Sequence, residues 1–516
     1  MDNIKLKKIK TAVFAPLLAL VLILVLISCG GDDAGSTQNY GGENADADAN
    51  IPGGAPENGG GAPSDDRLYP DLPDKDFAGY DFVFFTRIID SPDHADWWHR
   101  DLIAEEQNGN VINDAVYNRN IKITEKYNFT IRQIDTSYEN FVKDVRNAVS
   151  SGDATYDVVM SHTGGSEYGT VAQEGLLLDL FNVPHIDLSK PWWNQGVIRD
   201  LSIGGKLYAV QGDLTIKDND AMTAMIFNKG LLRDFGLEDP YALVKSGKWT
   251  LDKMHDMGKT VSADLNGDGK MYITEDRFGV ILQADCTLAL LYGAGERLAS
   301  KDSGDYPVAS FNKDRVYSVM DKIAAIMTDE ENVVNLHKFQ GKFPIYEEQV
   351  KMFQEDRALF SWIRMRIVEQ LRGMETDFGI LPQPKYDEAQ VNYWTHINSV
   401  GDAVTIPISN ENIERTAIIL EALSAESRYT LQPAYYELNL YGKYVRDEES
   451  REMLDIILNN TMHDLGAVYN FGGLFDPGLI WSVTNNKTDF ASIYEKAEVK
   501  LLADIEKLIE NHKNID

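Results

Sequence analysis

Tyr80-Asp-Phe-Val-Phe-Phe-Thr86, followed by Val111 to Tyr127, Thr130-Ile-Arg-Gln-Ile134, Tyr138 to Ser151 and Tyr156-Asp-Val-Val-Met160, decides the fold class. The first, third and fifth of these read as short strands. Between them, Val111, Ala115, Ile121 and Tyr127 recur at helical spacing, and Tyr138 to Ser151 is amphipathic. Strand, helix, strand, helix, strand predicts an α/β fold with a mostly parallel sheet. No period of 20 to 50 residues repeats, which argues against a solenoid or a propeller.

The chain around this stretch has 516 residues and a formal net charge of −32, from 81 acidic and 49 basic residues. Its length allows at least two domains at roughly 100–200 residues each. A surface this acidic repels phosphate backbones, so nucleic-acid binding is not expected. Cys29 and Cys286 are the only cysteines, which excludes a disulfide scaffold.

Lys5, Lys7, Lys8 and Lys10 precede an apolar run from Thr11 to Ile27, and Ser28 follows with the small side chain that a signal peptidase needs. Leu26-Ile-Ser-Cys29 resembles the lipobox of bacterial lipoproteins. The resemblance implies a signal peptide over residues 1–28, cleavage before Cys29 and lipid modification of its thiol, which leaves Cys286 as a lone thiol. An uncleaved membrane anchor is the alternative. Either way the bulk of the chain works outside the cytoplasm, tethered to a membrane. Residues 29–73 read as a solvated tether: Gly30 to Asp66 holds ten Gly, eight acids and no Lys or Arg. A coil of that length spans on the order of 35 Å. Losing four Lys and one Asp with the signal takes the charge to −35, and setting aside the tether's eight acids leaves −27 on the folded part.

Seven further segments stand in a characteristic order: Ser150-Ser-Gly-Asp-Ala-Thr-Tyr-Asp-Val-Val159, Gly175-Leu-Leu-Leu-Asp-Leu180, Gly205-Lys-Leu-Tyr-Ala-Val210, Met225-Ile-Phe-Asn-Lys229, Met352-Phe-Gln-Glu-Asp-Arg-Ala-Leu-Phe-Ser361, Phe378-Gly-Ile-Leu-Pro382 and Ala403-Val-Thr-Ile-Pro407. Together they resemble the extracellular solute-binding proteins of ABC sugar importers, of the maltose-binding-protein-like family 1 type. The resemblance implies a type II periplasmic-binding-protein-like fold: two α/β lobes, a hinge and an inter-lobe cleft. It places crossings near Gly212 to Asp220, Asn392 to Asn398 and Leu431. Lobe one is then 75–214 plus 398–430, and lobe two 219–392 plus 432–516. It also implies a monomer that captures a carbohydrate, most simply an oligosaccharide, and delivers it to membrane permease subunits.

Six of the eight tryptophans, Trp97, Trp98, Trp192, Trp193, Trp362 and Trp394, read as loop or strand-end residues where the resemblance places the cleft. Sugar rings stack their C–H faces on aromatic rings, while their hydroxyls need fixed polar partners. Arg364 beside Trp362, His396 beside Trp394, and Asp213 near the first crossing are such partners. Core packing is the alternative for any single Trp. Trp362 is expected just after a strand, Ala358 to Phe360.

Asp264-Leu-Asn-Gly-Asp-Gly-Lys-Met-Tyr-Ile-Thr-Glu275 fits the calcium-loop pattern at every fixed position. Asp264, Asn266, Asp268 and Glu275 would offer side-chain oxygens, Lys270 its carbonyl, and Tyr272 a carbonyl or a bridged water. A helix precedes the loop and a strand follows it, so a structural calcium is expected rather than a sensor pair. An acidic turn without metal is the alternative. A glycoside hydrolase would need two carboxylates across a cleft, about 5–10 Å apart, and no local motif singles out a pair. His162 in Ser161-His-Thr-Gly-Gly is the one suggestive polar loop. The sequence therefore favours a binding protein; a surface polysaccharide receptor without a transporter would look the same.

Overall fold

Phe82, Val83, Phe84 and Phe85 are all buried, so the strand they form must be covered on both faces. The computed structural model describes residues 67–88, 99–164, 167–311, 313–437 and 448–514. The expected signal peptide, Cys29 and most of the expected tether lie outside the described residues. Among those described, the strands are β1 (Tyr80–Arg87), β2 (Phe129–Thr136), β3 (Val158–His162), β4 (Thr223–Asn228), β5 (Phe278–Leu282), β6 (Ala299–Lys301), β7 (Pro307–Ala309), β8 (Val333–Asn335), β9 (Ala358–Arg364), β10 (Phe378–Leu381), β11 (Thr395–His396), β12 (Asp402–Thr405) and β13 (Thr461–Met462).

β1 is parallel to both β2 and β3, as the strand–helix alternation predicts. The helix Val111–Tyr127 between β1 and β2 starts at Asn110, whose side chain accepts the N–H groups of Ile112 and Asn113. The helix Tyr138–Ser151 stops at Gly152, which takes the left-handed φ of 68° that a glycine accepts at no steric cost. One sheet has the order β12-β3-β1-β2, and the other β10-β4-β9-β5-β8. The two share a plan. In each, three parallel strands (β1, β2, β3 or β5, β8, β9) stand beside one antiparallel strand, β12 or β4. Each antiparallel strand belongs to chain that has just crossed from the other sheet. The crossings pair with each other through a Met222–Ile397 bridge, with the Asn398 N–H donating to the Ala221 carbonyl at 2.9 Å. This is the α/β two-lobe architecture with a hinge.

Two boundaries differ from the sequence expectation. The tether was expected to run to residue 73, yet the chain is fastened from Arg67, which pairs with Glu426 and stacks 4.5 Å from the Tyr429 ring. Arg67 is the first cation after the acidic Gly-rich run, and it shares the buried Glu426 carboxylate with Lys122, 2.8 Å away. The C-terminal quarter was expected on lobe two alone, but it touches both lobes. The helix Phe490–Asn514 packs on the lobe-two helix Asp314–Met327, while Asn511 donates to the Gln173 carbonyl and His512 lies 5.3 Å from Tyr208 of lobe one. Its length, 25 residues, carries it across the junction. The β6–β7 turn makes a similar contact, with Lys301 donating to the Arg199 carbonyl at 2.6 Å. Cys286 is free and buried, and burial pushes its thiol well up, so it is unreactive packing. Among the described residues no helix is long and apolar enough to cross a membrane.

In lobe two the helix Leu251–Val261, capped by Thr250, crosses β5 at a glycine pair. A Cβ placed on Gly279 would lie 2.4 Å from Gly258 backbone atoms. Gly279→Ala is therefore expected to lower stability by about 1–3 kcal/mol, read as a fall in Tm. Gly373→Ala, where the added methyl meets nothing, is the control and should leave Tm unchanged.

Candidate functional site

Open α/β sheets bind ligands beyond the carboxyl ends of their parallel strands. In lobe one, β1 ends at Arg87 and β3 at His162. Arg87 lies 3.0 Å from the Glu167 carboxylate and 2.8 Å from His162 Nδ1, while Glu167 also accepts the His162 N–H. Lys217, on the first crossing, reaches His162 Nε2 at 3.1 Å and Asp402 at 3.7 Å. Asp402 in turn meets His99 Nε2 at 3.3 Å, and His99 Nδ1 meets Asp101 at 3.2 Å. Burial raises the Glu167 carboxyl against the pull of Arg87, and lowers Lys217 against Asp402. Burial alone would also lower His99, but Asp402 and Asp101 outweigh it and hold the imidazole up at about 9. The result is a cluster of paired charges: Glu167 with Arg87, Lys217 with Asp402, and His99 between Asp402 and Asp101.

In lobe two, β5, β8 and β9 end beside Asp285, His337 and Arg364. The Ala284 N–H donates to His337 Nδ1 at 3.1 Å, so the ring proton sits on Nε2. Asp285 accepts from Asn398 of the return crossing at 3.0 Å. The Arg364 guanidinium lies 5.9 Å from the Tyr346 ring. Both sets of strand ends thus converge on the crossing segments. A small hollow there is lined by Lys217, Asp220, Arg364, Arg366 and Val400. Arg100 reaches across from lobe one to Asp220 and to Glu369 of lobe two, at 3.2 and 2.7 Å.

Of the expected ligand residues, Arg364 occupies a strand end, half-exposed. Trp97 and Trp98 lie outside the described residues. Trp192 and Trp193 are buried in lobe one rather than lining a cleft, and their indole N–H groups donate to the two oxygens of Glu421 at 3.1 and 2.9 Å. Burial pushes Glu421 up to about 7 against those two donors. Glu421 sits on the helix Ile413–Ser427, which covers the pair. Trp362 lies inside β9 rather than after it, fully buried and opposite Met225, because β9 is central between β4 and β5. Asp213 pairs with Arg428 at 3.0 Å; burial pushes it up to about 7 while Arg428 opposes. Trp394 is half-buried against the core. His396 is buried 4.7 Å from Tyr292, and burial together with His463 lowers it to about 3.

The candidate calcium loop closes through an Ala263–Arg277 bridge. Asp264 accepts the N–H groups of Gly267 and Gly269, Asn266 that of Asp268, and Asp268 that of Lys270, while the Asn266 amide donates to Glu275. Tyr272 is 40 % exposed, and its N–H goes to Asp276. That buried carboxylate, which the pattern does not single out, also takes the Leu265 N–H. Among the described residues no three His, Cys, Asp or Glu side chains converge as a metal-holding group.

Sequence reasoning missed Arg87, Lys217, Asp285, His337 and Tyr346. Arg87 and Asp285 carried a signal, as polar residues closing or following a predicted strand. His337 follows a strand of three residues, too short to read.

No family model matches the sequence, and no curated protein matches it. Solved structures do. The GacH receptor of Streptomyces glaucescens, solved unliganded and with acarbose, is 14 % identical with a TM-score of 0.53, over 85 % of this chain and 100 % of its own. UgpB of Mycobacterium tuberculosis, in complex with glycerophosphocholine, is 16 % identical with a TM-score of 0.54, over 76 % and 95 %. An ABC substrate-binding protein of Listeria monocytogenes in complex with cycloalternan is 11 % identical with a TM-score of 0.50, over 84 % and 99 %. The chain has the two-lobe fold of these solute-binding proteins.

The His99 cluster gives a pH signature. Its folded pKa lies above the unfolded value, so its stabilisation is complete below about pH 6.5 and is lost as pH rises through about 9. Denaturant titrations across that window are expected to show falling stability, and His99→Gln to flatten the fall.

Proposed function

We propose that the protein is the substrate-binding lipoprotein of an ABC importer, held outside the cytoplasm by a lipid on Cys29. It captures a carbohydrate between its lobes and hands it to a membrane permease. The observation that carries this reading is the convergence of polar side chains from the strand ends of both sheets on the paired crossings. Closing two lobes about such a hinge buries a polar solute while giving its hydroxyls fixed partners. The ligands named with the structural neighbours, acarbose and cycloalternan, support carbohydrate, whereas glycerophosphocholine in UgpB supports a phosphodiester. The partly exposed Tyr346 beside Arg364 favours the sugar. The structural neighbours are named as a receptor and a substrate-binding protein, which supports reading this protein as no enzyme. A surface polysaccharide receptor without a transporter would use the same lobes and anchor.

The loop Asp264–Glu275 remains our candidate for a structural calcium, supported by its match to the ligand pattern.

A thermal-shift screen over mono- and oligosaccharides, with glycerophosphocholine as the rival ligand, tests the main reading. A saturating ligand at 100 times its Kd adds about 2.7 kcal/mol of stability, so an oligosaccharide is expected to raise Tm. A shift with glycerophosphocholine alone would reassign the ligand, and shortened oligosaccharides after incubation would reassign the protein to hydrolysis. In the same assay EDTA is expected to lower Tm and calcium to restore it. An unchanged Tm would leave the loop to its own turns.

A further inference from the structure

Two buried carboxylates on the helix Ile413–Ser427 are treated differently. Glu426 takes two cations, Arg67 and Lys122. Glu421, 1 % exposed, takes neutral donors instead, the indole N–H groups of Trp192 and Trp193. Among the described residues no cation pairs with it, and Asp187 beside it repels. A carboxylate shut away from water without a counter-ion is costly, so Glu421 is a buried group that still lacks its ionic partner.

Glu421 also lines a cavity of about 500 Å³, a volume typical of small-molecule sites. The cavity lies between that helix, the segment after Arg67 and residues 180–190, and it shares no lining residue with the hollow at the crossings. Its remaining charges leave Glu421 unserved. Lys190 lies 3.3 Å from Asp187, and His185 lies 3.6 Å from Glu414, while Asp71 adds a further exposed acid to the wall. The rest of the wall is apolar, with Leu188 half-buried and Phe181 45 % exposed.

Three carboxylates repel an anion, and a neutral solute would leave Glu421 without a counter-ion. An ammonium on a short alkyl chain meets every condition. Its charge pairs with Glu421, its methylenes lie against the apolar wall, and the Phe181 ring face attracts a cation. We propose that this cavity is a binding site separate from the hinge hollow, taking a primary alkylammonium with Glu421 as its counter-ion. That chemistry is shared by a free amine and by a lysine side chain of a partner protein. The site does not depend on the carbohydrate reading above.

Thermal-shift and calorimetric titrations of the whole chain at about pH 8, where Glu421 is ionised, test it with butylamine, putrescine and the peptide acetyl-Gly-Lys-Gly-amide. At least one of the three is expected to bind and to raise Tm. Tighter binding of the amines assigns the site to a free amine, and tighter binding of the peptide assigns it to a partner's lysine. Glu421→Gln removes the charge with little change of shape and is expected to weaken binding at least tenfold. Asp71→Lys, at an exposed position where folding is safe, puts a competing cation on the wall and should also weaken binding at least tenfold, with Tm unchanged in the absence of ligand. Binding that both variants keep within twofold overturns the site. So does a wild type that responds to none of the three more than to sodium chloride at equal ionic strength.

Discussion

Neither sheet is complete without a strand delivered by a crossing. β4 enters lobe two directly after the first crossing, and β12 enters lobe one directly after the return. Because each is hydrogen-bonded next to a central parallel strand, the crossings cannot drift; the Met222–Ile397 pairing then locks one to the other. That double insertion sets the spacing and orientation of everything at the hinge. The parallel strands of both sheets point their carboxyl ends at it, so the positions of Arg87, His162, Asp285 and Arg364 follow from chain topology before any side chain is chosen.

Side-chain chemistry then has to meet the cost of burying charge there. An unpaired ion in such a place costs several kcal/mol, which the lobe-one cluster avoids by setting Glu167 against Arg87, Lys217 against Asp402, and His99 between Asp402 and Asp101. The buried Arg119 works the same way with carbonyls. It donates to the oxygens of Asp101, Leu102 and Leu214, tying the helix Val111–Tyr127 to the first crossing. Ion pairs and hydrogen bonds of this kind hold the cluster's side chains in place. A polar surface held this firmly can meet a solute without first paying to order itself.

The fold was legible because its signals are local. The apolar run Phe82–Phe85, the cap at Asn110 and the stop at Gly152 sit inside the elements they specify. The tryptophans were less legible, since burial is decided by what packs on them. Nothing near Trp192 and Trp193 announces that a helix more than 200 residues later brings Glu421 to both indoles. Trp362 was misplaced by the end of β9, which runs four residues beyond Phe360. The acidic loop showed its Asp264 and Glu275 plainly, but not Asp276, whose role depends on burial.

The connectivity that builds the hinge also governs how the molecule comes to exist. Thr405 of β12 donates to the Val159 carbonyl of β3 across 246 positions of chain, and Arg67 meets Glu426 across 359. Contacts this remote in sequence make for slow, cooperative assembly. β3 of lobe one lacks its outer neighbour until residue 405 has emerged, and the helix that spans both lobes arrives later still. The nascent chain therefore stays short of its native state until that helix has emerged, a delay that leaves long stretches of apolar strand waiting for partners still to come.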